Sequence, residues 1–175
     1  MNKNKELLLE MIYRTVGIEF LDLSYGDSKY LLSNMIAKYS NSGEIYLSQK
    51  VKDILDRYDF PSFGNIKYRS KFYGKTCSFY KKHKIQFVAE HTIPCGILLD
   101  LILDSDKTKE TIREILDYNK VVMILKEEDL VIQKMGLRDK VCNDFNVKEN
   151  IWGRYKECGI IVTENYFNNI GPIFR

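Results

Sequence analysis

Glu90 and His91 stand side by side in Phe87-Val88-Ala89-Glu90-His91-Thr92-Ile93-Pro94, and together they offer the elements of phosphodiester chemistry. An imidazole titrates near neutral pH and can take a proton from an attacking water. A carboxylate beside it can hold Mg2+, whose charge would stabilise the phosphate oxygens. The only other histidine, His83, sits among Lys81, Lys82 and Lys84 in a run that reads as surface. Asp100 and Asp104 lie four residues apart, hence on one face of a helix, and are candidates to complete a metal site. The plainer role for such acids is a solvated face. In Trp152-Gly153-Arg154-Tyr155, Arg154 is a candidate phosphate contact and the tryptophan could stack on a base, although a lone tryptophan is more often a core anchor.

Immediately upstream lies the most basic part of the chain. Residues 60–84 hold Lys67, Arg69, Lys71, Lys75, Lys81, Lys82 and Lys84, seven cations and no acid, so this segment sets the sign of a chain whose net charge is +3. Aromatic residues are interleaved with them: Phe60, Phe63, Tyr68, Phe72, Tyr73, Phe79 and Tyr80. That mixture suits phosphate contacts and base stacking, and makes DNA or RNA the expected partner. A solvated hairpin with its aromatics turned inward is the bland alternative.

These groups need elements to hold them. Helical spacing predicts a helix over residues 3–16 and another through Tyr30–Tyr39, and Ser48 is placed to cap a third carrying Val51, Ile54 and Leu55. Residues 1–59 therefore read as a helical scaffold. Residues 66–84, interrupted by Gly74, read as a basic hairpin. A short strand over 85–89 is expected to release Glu90 and His91 at its tip, with Pro94 opening a helix from Cys95 to about Leu103. Asp106 is a candidate cap for the next helix. Val121–Leu125 is β-branched and apolar, a buried strand. Ile160–Thr163 reads as a last short strand. The expected fold is a mixed α/β (α+β) single domain, its helical N-terminal third packed on a small mixed sheet, with the site in residues 60–175.

Glu90-His91-Thr92-Ile93-Pro94 resembles the acid-His-x-Ile-Pro signature of HNH, or His-Me finger, nucleases. The resemblance implies that His91 is the general base and Glu90 a metal ligand. That family also carries a downstream asparagine and a second histidine or asparagine; here no asparagine follows the motif until Asn119, and no histidine follows it at all. A second nuclease pattern, an acid followed by Glu-x-Lys at a strand end, is matched at Glu90 but has Thr92 in place of lysine. In general character the chain is similar to small type II restriction endonucleases.

No run of about 18 apolar residues is present, which argues against a membrane span. The N-terminal stretch lacks the pattern of a secretory signal, and the four cysteines (Cys77, Cys95, Cys142, Cys158) are widely spaced, which argues against a structural zinc and for reduced thiols in the cytoplasm. The sequence thus leads to the expectation of a metal-dependent endonuclease acting on DNA, of the restriction type, with Mg2+ as cofactor. Palindromic DNA sites would favour a homodimer. The rival expectations are a ribonuclease of a toxin or defence system and a nucleic-acid-binding protein with no active site.

Overall fold

A computed structural model describes residues 3–17, 26–41, 44–58 and 78–168. Among them the chain forms α1 (Lys3–Val16), α2 (Gly26–Ser40), β1 (Glu44–Ser48), α3 (Gln49–Arg57), α4 (Ser78–His83), β2 (Phe87–His91), α5 (Cys95–Leu103), α6 (Lys109–Tyr118), β3 (Val121–Leu125), α7 (Lys126–Lys134), α8 (Gly153–Glu157) and β4 (Val162–Asn168). The α/β class expected from the sequence is the one found.

The four strands form one mixed sheet in the order β2-β3-β1-β4. β3 runs parallel to β1 and antiparallel to β2, while β4 runs antiparallel to β1 at the far edge. β3 is buried along its whole length because both of its faces are covered. On one face Val121, Met123 and Leu125 meet Val51 and Leu55 of α3 and Phe87 of β2. On the other, Val122 and Ile124 meet Ile132 of α7, Tyr155 of α8 and Leu137.

The N-terminal helices differ from expectation in two ways. β1 lies inside the segment read as a helical scaffold, and it is a central strand. Only α3 packs on the sheet. α1 and α2 join α5 and α6 in a separate apolar cluster built on Leu9, Ile12, Leu32, Ile36, Leu98, Leu99, Ile102, Ile112 and Leu116. Three ion pairs fasten α1 to α6: Lys5–Asp117 at 2.7 Å, Glu10–Lys109 at 2.6 Å and Glu6–Arg113 at 3.0 Å.

Local chemistry sets the element ends. Ser48 Oγ accepts the Val51 N–H and caps α3, as expected. The same hydroxyl donates to Glu128 at 2.7 Å, and Glu128 also accepts the Leu125 N–H, so the starts of α3 and α7 share one buried knot. Thr108, not Asp106, caps α6; Asp106 accepts from the Thr108 N–H and so supports the cap from outside. Gly136 and Gly159 end α7 and α8 at positive φ, where a backbone N–H reaches five residues back, Leu137 to Ile132 and Ile160 to Tyr155.

Candidate functional site

Glu90 and His91 are not released at a strand tip. β2 continues through both, with Glu90 opposite Val122 and His91 opposite Val121 of β3. Successive side chains on a strand point to opposite faces. Glu90 therefore shares a face with Val122, beneath α8, and His91 shares the face of Phe87 and Ala89, which pack with α3.

The turn after β2 is pinned by a buried polar bracket. Thr92 N–H donates to the Lys120 carbonyl, and Lys120 N–H returns a bond to Thr92 Oγ1, both at 2.9 Å. Asn119 Oδ1 accepts from Ile93 N–H at 3.0 Å and from Thr92 Oγ1 at 3.1 Å, while its amide donates to Ser40 Oγ. Asn119 is thus spent on holding the turn and the end of α2. Pro94 then occupies the N-cap of α5 and offers no side-chain cap.

Arg154 reaches across from α8 to this end of β2. Its guanidinium donates to Glu90 Oε1 at 2.9 Å, to the His91 carbonyl at 2.9 Å and to the Arg138 carbonyl at 3.1 Å. The Arg154 side chain is 1% exposed against 21% for Glu90. A guanidinium so enclosed does not reach a ligand's phosphate, which corrects the role expected of Arg154. Burial pushes the Glu90 carboxyl upward from its ordinary pKa, against the pull of Arg154. Next to Arg154 the Tyr155 hydroxyl is buried without a hydrogen-bond partner, and burial followed by the nearby Glu90 charge raises it well above the usual phenol range.

Beside this clamp opens a cleft of about 400 Å³, lined by Ser33, Glu90, His91, Pro94, Cys95, Gly96, Arg138 and Asp139. The first turn of α5 contributes Cys95 and Gly96, so the positive end of a helix is part of its wall. Arg138 and Asp139 went unremarked in the sequence reading. They follow the Gly136 stop, and only the fold brings them to β2. His91 Nε2 is enclosed. Burial, and after it the Glu90 charge, pushes the Cys95 thiol up to about 12, which disfavours the thiolate.

The other expected site residues lie elsewhere. Asp100 is about half exposed and pairs with Lys29 at 2.9 Å. Asp104 is exposed at the C-cap of α5. Among the described residues no group of three or more His, Cys, Asp or Glu gathers to hold a metal. Glu90, Asp100 and Asp104 are therefore not brought together. Two carboxylates, Glu90 and Asp139, do line the cleft. Arg154 already holds the first of them.

Lys81, Lys82 and Lys84 are described; the first two are exposed on α4 and Lys84 is exposed just after it. They precede the Phe87 end of β2, where Lys126 N–H bonds the Gln86 carbonyl, so at ~3.3 Å per residue about 13 Å of strand separates them from His91. Lys67, Arg69, Lys71 and Lys75 lie outside the described residues; the described end of the expected hairpin, Ser78–His83, is not a strand but the helix α4.

No helix among the described residues is long and apolar enough to cross a membrane. No protein-family model matches this chain, and neither a curated protein nor a solved structure matches it.

Proposed function

We propose that the chain is an endonuclease that cleaves phosphodiester bonds in nucleic acid, with the scissile phosphate seated in the cleft between β2 and α5. The observation that carries this reading is the cleft itself, where Glu90, His91 and Arg138 meet the N-terminal turn of α5. Arg138 and the first amides of α5 would receive the phosphate oxygens, since a helix N-terminus favours an anion. His91 would take the proton of the attacking water. Magnesium would be held by Glu90 and Asp139 and would lend its charge to the phosphate. The cations of residues 67–84 would hold more distant backbone.

DNA and RNA are separated by experiment. Supercoiled DNA and a structured RNA are each incubated with the protein, with Mg2+ or with chelator, and the assay is repeated with His91→Ala and Arg138→Ala. Discrete Mg2+-dependent DNA fragments, lost in both variants, assign a DNA endonuclease. Cleavage of RNA alone assigns a ribonuclease. A second reading, a nucleic-acid-binding protein without cleavage, draws on the alternation of β2, which sends the Glu90 and His91 side chains to opposite faces. Binding to DNA or RNA with no cleavage, and unaltered by His91→Ala, would replace the first reading by the second.

A further inference from the structure

On the same face of the sheet as the Arg154 clamp lies a second cavity, of about 700 Å³. It is lined by Tyr46 of β1, by Trp152, Tyr155 and Lys156 of α8 and its N-cap, and by Ile160 and Ile161 on the way into β4. Its volume is within the range of small-molecule sites, and its make-up is theirs too: apolar and aromatic walls with few polar groups. Tyr46 and Trp152 meet edge to face with centroids 5.0 Å apart. Both rings border the cavity. Ile161 at the rim is 68% exposed, an apolar side chain left uncovered beside aromatic walls.

We propose that this cavity receives an unpaired nucleobase of the strand whose phosphate occupies the cleft; the inference rests on the nuclease reading and names the part of the substrate that reading leaves open. Three observations select a base over another apolar guest. Stacking on tryptophan and tyrosine is the usual way a protein holds an unpaired base without reading its sequence. Lys156, exposed at the same opening, supplies the positive charge that a base arriving with its phosphate requires and a purely apolar guest does not. And α8 is a wall common to both sites. Arg154 extends from it to Glu90 at the cleft, while its neighbours Trp152, Tyr155 and Lys156 border the cavity. β2 and β1 are separated only by β3, about 10 Å at the usual strand spacing, so one strand of nucleic acid can reach both.

Trp152 is the chain's single tryptophan and lines this cavity, so the tryptophan emission comes from its wall. The protein is titrated in chelator with a short single-stranded DNA and with an abasic strand of the same length, which has the phosphates but not the bases. Saturable quenching by the first and none by the second is the expected result. Equal quenching by both, or none by either, overturns the proposal. Tyr46→Leu should weaken the base-dependent binding about tenfold, the loss expected from one stacking partner, with melting temperature measured alongside. If that variant does not fold, Ile161→Asp, at an exposed position, places a carboxylate at the rim and should weaken binding as well. Unchanged affinity in whichever variant folds also overturns it. Cleavage with a silent Trp152 would leave the nuclease reading intact and remove this one, whereas base-dependent quenching without cleavage would remove the nuclease reading and leave only a base-binding cavity.

Discussion

The two faces of the central sheet are made of opposite materials. The α3 face is closed by the apolar cluster of Ile45, Leu47, Val51, Leu55, Phe87, Val121, Met123 and Leu125. The α7–α8 face buries Arg154 entirely, gives it three hydrogen bonds, leaves the Tyr155 hydroxyl unbonded and opens two cavities beside it. Apolar burial is non-directional, so the first face needs only volume and pattern. The second needs particular partners at particular distances. A buried ion pair is a poor route to stability, because desolvation consumes most of the attraction and apolar packing of similar shape does as well or better. The α8 face therefore carries the features that stability alone does not call for: the second cavity lies there, and the cleft reaches it through Glu90.

The most severe way to test that contrast is to remove one member of the clamp. Arg154→Met leaves Glu90 beneath α8 without its partner and frees the His91 and Arg138 carbonyls. A loss of about 3–5 kcal/mol is expected, read by chemical denaturation. Glu90→Gln combined with Arg154→Met should recover much of it, since neither site then holds an unpaired charge. On the α3 face Leu47→Ala should cost about 2–5 kcal/mol through its cavity, and no second substitution on that face should restore it in the same way. If the double variant on the α8 face is no better than the single, the pair is a packing feature like its counterpart.

A smaller effect is expected at the root of α8. A Cβ added to Gly153 would lie 2.1 Å from Cys142 Sγ and 3.0 Å from Asn150 Nδ2. The sulfur is buried and cannot simply turn to water, so Gly153→Ala should destabilise by about 1–3 kcal/mol through overpacking. Cys142→Ala in the same chain should relieve most of that. Because Gly153 sits between Trp152 and Arg154, the single variant should also shift Trp152 emission.

What could be read in the sequence was what local pattern controls. The α/β class, Val121–Leu125 as a buried strand, Ser48 as a cap, the start of α5 after Pro94 and its end at Leu103 all depend on neighbours within a few residues. β1 was missed because five residues, Glu44–Ser48, are too few to show alternation, and their strand character comes from pairing with β3, more than seventy residues later. Long-range pairing also decides where the candidate site residues point. Glu90 and His91 are adjacent in sequence, which suggested joint action, yet pairing with β3 makes them the last two residues of β2 and alternation turns their side chains to opposite faces. Arg154 was marked as a phosphate contact because nothing local reveals that α8 lies over β2. Arg138 and Asp139 had no motif at all. Long-range placement, not residue type, decides each of these.

The mildest expected effect concerns the charge state of Glu90 itself. Burial raises its pKa, so across the window just above the ordinary carboxylate value the folded protein keeps a proton that the unfolded chain has released. Stability then falls as pH rises through that window, because the native state binds more protons than the denatured state there. Exposed carboxylates such as Glu10, held down by Lys109 and Arg14, and Asp106, held down by the Thr108 backbone, push the opposite way, so the bulk trend hides the signal. Comparison with Glu90→Gln isolates it: the stability of the wild type relative to the variant should decline from weakly acidic to neutral pH. A difference that does not change with pH would mean that Arg154 fully offsets burial and that Glu90 is an ordinary carboxylate. The distinction reaches the chemistry. A carboxyl that keeps its proton in this window cannot serve Mg2+ there, so cleavage that depends on Glu90 and Mg2+ should rise over the same pH range in which the stability difference declines.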